Sequence, residues 1–337
     1  MNVFKLGEPD TLSLLSNFNG ELRFNIGEPK IAVLSKYFEV NSIVIYDGCK
    51  ETPVLFCPLF IKGNSVVIPM LSQYTGIYIK DNEKSSYTSQ LSKQHRYLSL
   101  FLEQLSGFRS IEFTFHYDLQ NILPLIWEGF DVKPRITYIL ERDDTDLLWG
   151  KLKSSVRGKI KKARKNLTTI ENISAEDFYE VNSKTFQRQG IKTPYTKKYL
   201  TEFFSSFSDY KCGKSFAAVD KAGQVVSVAY VTWDDRSAYL HLAGDDPEYR
   251  HLGGGILVIW EAILFVFTKL DVDVFDFEGS MIKGVEEVRR SFGAKQKIYY
   301  SVQKFNSKRE RIKYHLLQEL KSSGIGSIVR TFKGYIR

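Results

Sequence analysis

The chain has 337 residues, 43% hydrophobic and 26% charged, which supplies apolar material for two globular cores and excludes a disordered chain. Its net charge is +8, and its three cysteines (Cys49, Cys57, Cys212) lack the paired spacing of a disulfide framework or a zinc site. The opening MNVFKLGEPD lacks the basic-then-apolar order of a secretory leader, and the longest apolar run, residues 256–267, contains Glu261 and is too short to span a bilayer. A reducing compartment, the cytoplasm, is the expected setting.

In chain order, the first half carries a turn at Gln73-Tyr74-Thr75-Gly76, a helical stretch over residues 90–105 and a strand, SIEFTFHY, from Ser110 to Tyr117. A short helix in LIWEGFDVK and a strand, RITYIL, close it. The polar, acidic ERDDTD at 141–146 has no apolar periodicity and sets the expected boundary, giving units 1–142 and 143–337. A linker helix should follow: Trp149, Leu152, Val156, Ile160, Ala163 and Leu167 form one apolar stripe, with Asp146 as N-cap and Asn166 as stop. Residues 151–166 also hold eight basic side chains and no acidic one, and residues 302–337 hold nine basic against two acidic. Such local basic surface suggests an anionic partner (a phosphate-rich ligand, RNA or a lipid headgroup surface), against the plain alternative of a solvated helix face.

The second half repeats the pattern of the first. The strand SAYLHLA at 237–243 leads through a turn to Gly253-Gly254-Gly255 and a helix to about Lys269; then come VDVFDFEGS, a short helix ending at Phe292-Gly293-Ala294, and the strand KIYYSVQ. Helix, strand, short helix and strand occur in both halves, which predicts a duplicated α/β unit with mixed sheets. The tail, with Ile312, Leu316, Leu317 and Leu320 at helical spacing, reads as an amphipathic basic helix suited to an anionic bilayer or to covering the second sheet.

The glycines at 253–255 open a helix, where the first backbone N–H groups lack helical partners and the dipole favours an anion. No P-loop lysine follows, and the spacing differs from a dinucleotide fingerprint. Arg250-x-x-Gly253-x-Gly255 instead resembles the Q/R-x-x-G-x-G/A signature of the GNAT acyltransferases. Together with VRGKIKKARKN, FQRQGIKTPYTKKYL and VFDFEGSMIKGVEEVRRSFGAKQKIYYSVQK, the second half resembles the FemABX-like branch of that superfamily. The resemblance implies two GNAT-like domains in tandem, the first degenerate, in an acyltransferase of peptidoglycan or polysaccharide precursors. It implies no metal. Acyl-CoA is the donor it favours, because the long helical hairpin of some bridge-forming members is missing and the glycine motif is intact; aminoacyl-tRNA is the alternative donor.

Residue by residue, the resemblance assigns Arg250, Leu252, Gly253, Gly254 and Gly255 to the donor pyrophosphate. The acyl group would lie between the strands 237–243 and 272–279, where His241 and Glu278 are the two candidate general bases; a core histidine and a helix-capping glutamate are the competing readings. Arg188 and Tyr195 fall in the segment lining the acceptor side, Tyr74 in the turn that shapes the acceptor cleft, and Arg157 and Lys161 on the basic helix that would hold an acceptor phosphate or tRNA. The expected acceptor is a small-molecule or lipid-linked amine, DNA is not an expected partner, and the enzyme would sit in the cytoplasm or peripherally at the inner leaflet. A catalytically silent protein of the membrane surface is the reading from another class.

Overall fold

The computed structural model describes residues 1–15, 18, 27–48, 53–80, 85–279, 281–312, 314 and 316. The basic, apolar tail beyond these, with Leu317 and Leu320, lies outside the described residues, as do Cys49 and Ser280.

The first half runs β1 (Asn2–Gly7), α1 (Glu8–Leu15), α2 (Glu28–Leu34), β2 (Glu39–Tyr46), β3 (Leu55–Ile61), β4 (Ser65–Val66), β5 (Tyr78–Ile79), α3 (Tyr87–Glu103), β6 (Ser110–Phe115), α4 (Leu123–Trp127) and β7 (Asp131–Glu141). The second runs α5 (Thr145–Lys151), α6 (Ser154–Ala163), β8 (Thr168–Glu171), α7 (Ala175–Arg188), α8 (Lys197–Asp209), β9 (Gly213–Val219), β10 (Val225–Trp233), β11 (Ser237–Asp245), α9 (Gly254–Lys269), β12 (Val274–Asp276), α10 (Lys283–Ser291) and β13 (Lys295–Phe305).

The thirteen strands among the described residues join one mixed sheet, ordered β1-β2-β3-β4-β6-β13-β7-β12-β11-β10-β9-β8, with β5 on β3. The order shows the duplication. In each half an antiparallel meander ends in a parallel pair, β4 with β6 and β11 with β12, whose strands are linked through the long helix α3 or α9. Each half then gives its last strand to the other: β7 pairs antiparallel with β12, and β13 pairs antiparallel with β6. The two donated strands pair with each other at the centre, from Lys295↔Ile139 to Gln303↔Asp131. A cut at 142/143 therefore passes through a continuous sheet.

The single linker helix expected over residues 149–167 is two helices. The backbone of Leu152 is extended, and the chain restarts at Ser154; the N-cap position before α5 is Asp144, not Asp146. The apolar stripe still holds, since Leu152, Val156, Ile160, Ala163 and Leu167 are buried. Tertiary partners make the break possible: Lys153 N donates to Ser291 O at 2.9 Å, and the Arg157 guanidinium donates to the carbonyls of Gly150 and Leu152.

Three apolar clusters fill the layers. One lies between the second half's sheet and α5, α6 and α9, and one between the first half's sheet and α3 and α4. The third draws on both halves: α1, α2, α7 and α8 cover the opposite face, with Tyr74, Tyr239 and Tyr299 at its middle. Polar groups buried inside this shared cluster form the candidate site.

Candidate active site

The site is built on the end of β12. After Asp276 the chain makes a left-handed turn, with φ of +50° at Glu278 and +89° at Gly279. A side chain other than glycine in that region costs about 1–2 kcal/mol, so something must hold it. Asp276 Oδ1 accepts from Glu278 N at 2.8 Å, and Thr137 Oγ1, on β7 from the other half, accepts from Gly279 N at 3.0 Å. Gly279 is required for space as well, because a Cβ there would lie 2.6 Å from Gln73 Nε2.

The turn aims Glu278 at His241, on the neighbouring β11. Nδ1 of His241 lies 2.9 Å from Oε2 of Glu278, and the two side chains are 1% and 4% exposed. The imidazole stacks on Phe203 of α8 at 4.9 Å between centroids. Glu278 Oε1 is buried with no hydrogen-bond partner among the described residues. Both residues named from sequence as candidate bases thus form one buried cross-strand pair.

Beneath the pair lies Asp276, fully buried, accepting from Tyr74 Oη at 2.8 Å and Thr137 Oγ1 at 2.6 Å. Burial raises its carboxyl to about 6, against the lowering effects of the Thr137 hydrogen bond and the His116 charge. Tyr74 packs edge-on to His116 and Tyr299, and Tyr299 Oη accepts from Gln73 Nε2. Tyr74 is therefore an internal prop for Asp276 and not part of an open wall.

Sequence reasoning missed Lys30. It sits on α2, 1% exposed, and its Nζ donates to Tyr74 O at 2.8 Å. Burial lowers its ammonium to about 7, while the charge of Glu278 acts in the opposite direction. A signal was present: Lys30 lines up with Val33 and Leu34 at i, i+3 and i+4, a lysine on the apolar face of EPKIAVL. His241, Glu278, Asp276 and Lys30 bring two neighbouring bases, a raised acid and a lowered amine into one dry centre, the pattern of groups that move protons near neutrality.

The other sequence-named residues lie apart. Arg250 and Leu252 form a single 3-10 turn, and Gly253, with φ of +78°, carries the chain into α9. A Cβ on Gly254 would lie 2.4 Å from Ser227 Oγ, and one on Gly255 2.3 Å from Asp245 Oδ1. Tyr195 is buried, its hydroxyl donating to Asn182 Oδ1, whose amide donates to Ala243 O. Arg188 and Lys161 are exposed, and Arg157 is engaged at the α5–α6 break. Among the described residues no group of three His, Cys, Asp or Glu side chains is placed to hold a metal, and no helix is long and apolar enough to cross a membrane.

The parallel pairing of β11 and β12 ends at Tyr239↔Asp276, on either side of a glycine-opened helix, and the His241–Glu278 pair lies just beyond it, an arrangement of the GNAT fold. Residues 150–287 match the family model described as the acetyltransferase (GNAT) domain. Over the whole chain the fold is similar to the crystal structure of FemX, at 14% identity, TM-score 0.63, covering 89% of this chain and 97% of that one. It is also similar to the C-terminal domain of a putative lysylphosphatidylglycerol synthetase from Agrobacterium fabrum (10% identity, TM-score 0.56, 93% and 97% covered). A tandem GNAT protein from the clavulanic acid biosynthesis pathway has 11% identity and a TM-score of 0.51, with 91% and 99% covered. No curated protein matches the chain in sequence. Residues 150–287 thus carry a GNAT acetyltransferase domain, and the fold of the chain is that of two-unit proteins such as FemX and the tandem GNAT protein.

Proposed function

We propose that this chain is an N-acyltransferase that moves an acyl group from a thioester or ester donor to an amine of a cell-envelope sugar or amino-acid precursor. The observation that carries the reading is the buried His241–Glu278 pair at 2.9 Å, where β11 and β12 diverge. N-acyl transfer asks for three things: two reactants held together, a base for the amine proton and a donor for the leaving group. Glu278 orients the imidazole, so His241 is placed to take a proton from the attacking amine. Lys30, lowered to about 7, is a second proton carrier in the same centre. The FemX and lysylphosphatidylglycerol synthetase likenesses support a precursor or lipid-linked acceptor.

Two donors suit this chemistry. Acyl-CoA is suggested by the Arg250-x-x-Gly253-x-Gly255 spacing. Aminoacyl-tRNA is suggested by the exposed lysines of α6, among them Lys159, Lys161 and Lys162. We assign the acceptor side to residues 1–142, which supply Lys30 and Tyr74, and the donor side to 143–337. The test is a donor screen by thermal shift with acyl-CoAs and with aminoacyl-tRNA, followed by transfer to amine acceptors. A true donor at a hundredfold excess over its Kd stabilises the fold by about 2.7 kcal/mol. Stabilisation by neither donor, with no transfer to any amine, would refute the proposal.

A further inference from the structure

We infer that Asp245 is a specificity-determining residue that closes the start of α9 to pyrophosphate, so that the enzyme holds its donor without a diphosphate at Gly253–Gly255. The inference rests on the acyl-transfer reading above and narrows its donor.

A diphosphate cradle needs backbone N–H groups facing free space, a cation at hand and no fixed negative charge. The start of α9 fails on the last. Asp245 ends β11 and lays its carboxylate against the first helical turn: Oδ1, Oδ2 and Cγ lie 2.3, 2.7 and 2.8 Å from where a Cβ of Gly255 would be. The glycine is absent of side chain because that carboxylate fills the space, just as Ser227 fills it at Gly254. The carboxylate is also held in place. Ser227 Oγ donates to Oδ1 at 2.7 Å, and the Asp245 peptide is gripped by Thr185 Oγ1, which accepts from its N–H at 2.9 Å and donates to its carbonyl at 3.2 Å. Next to it, Asp246 is tied to Lys184 at 2.5 Å.

A carboxylate of the chain's own thus stands beside the first turn of α9, at the positive end of the helix dipole. Arg250, the cation that the motif would offer a phosphate, has Nε 3.9 Å from Asp245 Oδ2. A diphosphate at this place would meet a fixed like charge and would compete with it for Arg250. The R-x-x-G-x-G spacing is then explained by close packing of α9 on β10 and β11. Discrimination of this kind works by a repulsive group aimed at the wrong ligand.

The experiment is calorimetric titration of the full chain with inorganic pyrophosphate, coenzyme A and pantetheine, for wild type, Asp245→Asn, Asp245→Ser and Asp245→Asn combined with Arg250→Ala. Wild type should bind coenzyme A no more than about threefold tighter than pantetheine, and the Asp245→Asn and Asp245→Ser variants should gain at least about tenfold for pyrophosphate and coenzyme A. The gain should vanish when Arg250 is also removed. A wild-type preference for coenzyme A over pantetheine above about tenfold overturns the inference. So does an unchanged affinity in both single variants that retain the wild-type circular dichroism. Acyl transfer is assayed separately: absence of transfer from every donor refutes the proposed reaction, while the binding ratios still decide the role of Asp245.

Discussion

Glu278 is held in a left-handed backbone conformation by partners from two strands, Asp276 and Thr137, and its carboxylate reaches His241 only through that turn. Replacing Glu278 with Gln keeps the shape and removes the carboxylate that lies against His241 Nδ1. The Glu278→Gln variant should therefore lose about 10²- to 10⁴-fold in kcat while donor affinity, read by titration, stays within about twofold. Unchanged turnover would place the proton transfer elsewhere. The nearness of His241 and Glu278 was legible in the sequence because one lies on β11 and the other follows β12, the strands flanking one glycine-opened helix. Lys30 was not, because its burial depends on Tyr74 and Glu278, which the chain brings to α2 from far away. Its titration makes a second prediction. In the folded state the ammonium is lowered to about 7, so below pH 7 folded and unfolded chains both carry the proton and the cost of burying it is present in full. Between pH 7 and the ordinary lysine range only the unfolded chain holds the proton, and stability rises with pH. Asp276, raised to about 6, acts in the opposite sense below that pH: between the ordinary aspartate range and 6 the folded state holds the extra proton, and stability falls as pH rises. Chemical denaturation from pH 4 to 9 should show a minimum between about 6 and 7, and Lys30→Met should abolish the rise above it.

At the scale of elements, α6 and α9 show what periodicity conveys and what it conceals. The stripe from Leu152 to Leu167 identified the buried face correctly, yet the break at Leu152–Lys153 was invisible, because its unpaired backbone groups are met by Ser291 and Arg157 and not by local capping residues. Gly158, on the exposed side of α6, has nothing within 4 Å of where a Cβ would stand. No close approach in the fold needs it, so Gly158→Ala should stabilise the protein by about 1 kcal/mol through helix propensity alone. If a ligand needs that bare backbone, the same variant will be more stable and less active, a combination that thermal denaturation and a transfer assay together detect. Gly255 is the opposite case. A methyl there would collide with the Asp245 carboxylate, and Gly255→Ala should destabilise by about 1–3 kcal/mol. The triple glycine was legible as a special helix start; that its absent side chains make room for Ser227 and Asp245 was not, since those partners come from other strands.

At the scale of the molecule, the sequence showed two similar halves but not the exchange that joins them. Similar order of helices and strands follows from local pattern, whereas the place of β13 between β6 and β7 is set by long-range pairing that no local pattern encodes. The exchange has a thermodynamic consequence. Val302 of β13 is buried in the first half's core and Tyr299 in the shared one, so a single strand, late in the chain, completes layers begun by β2 and β3. Neither half can close its sheet alone, and unfolding should be one cooperative event despite a length typical of two domains. The tryptophans report on this separately: Trp127 lies in α4 of the first half, while Trp149 and Trp260 pack at 5.3 Å in the second. In guanidinium chloride, single-tryptophan variants keeping Trp127 or Trp260 should give coincident transitions. Val302→Asp, which puts a charge without a partner into the first core, should move both midpoints down together by the same amount. Expressed alone, residues 1–142 and 143–337 should each lack a cooperative transition, and mixed from denaturant they should regain it with the donated strands re-paired. Two separate transitions in the intact chain, or a cooperative fold in either fragment, would mean that each half is stable without its partner's strand.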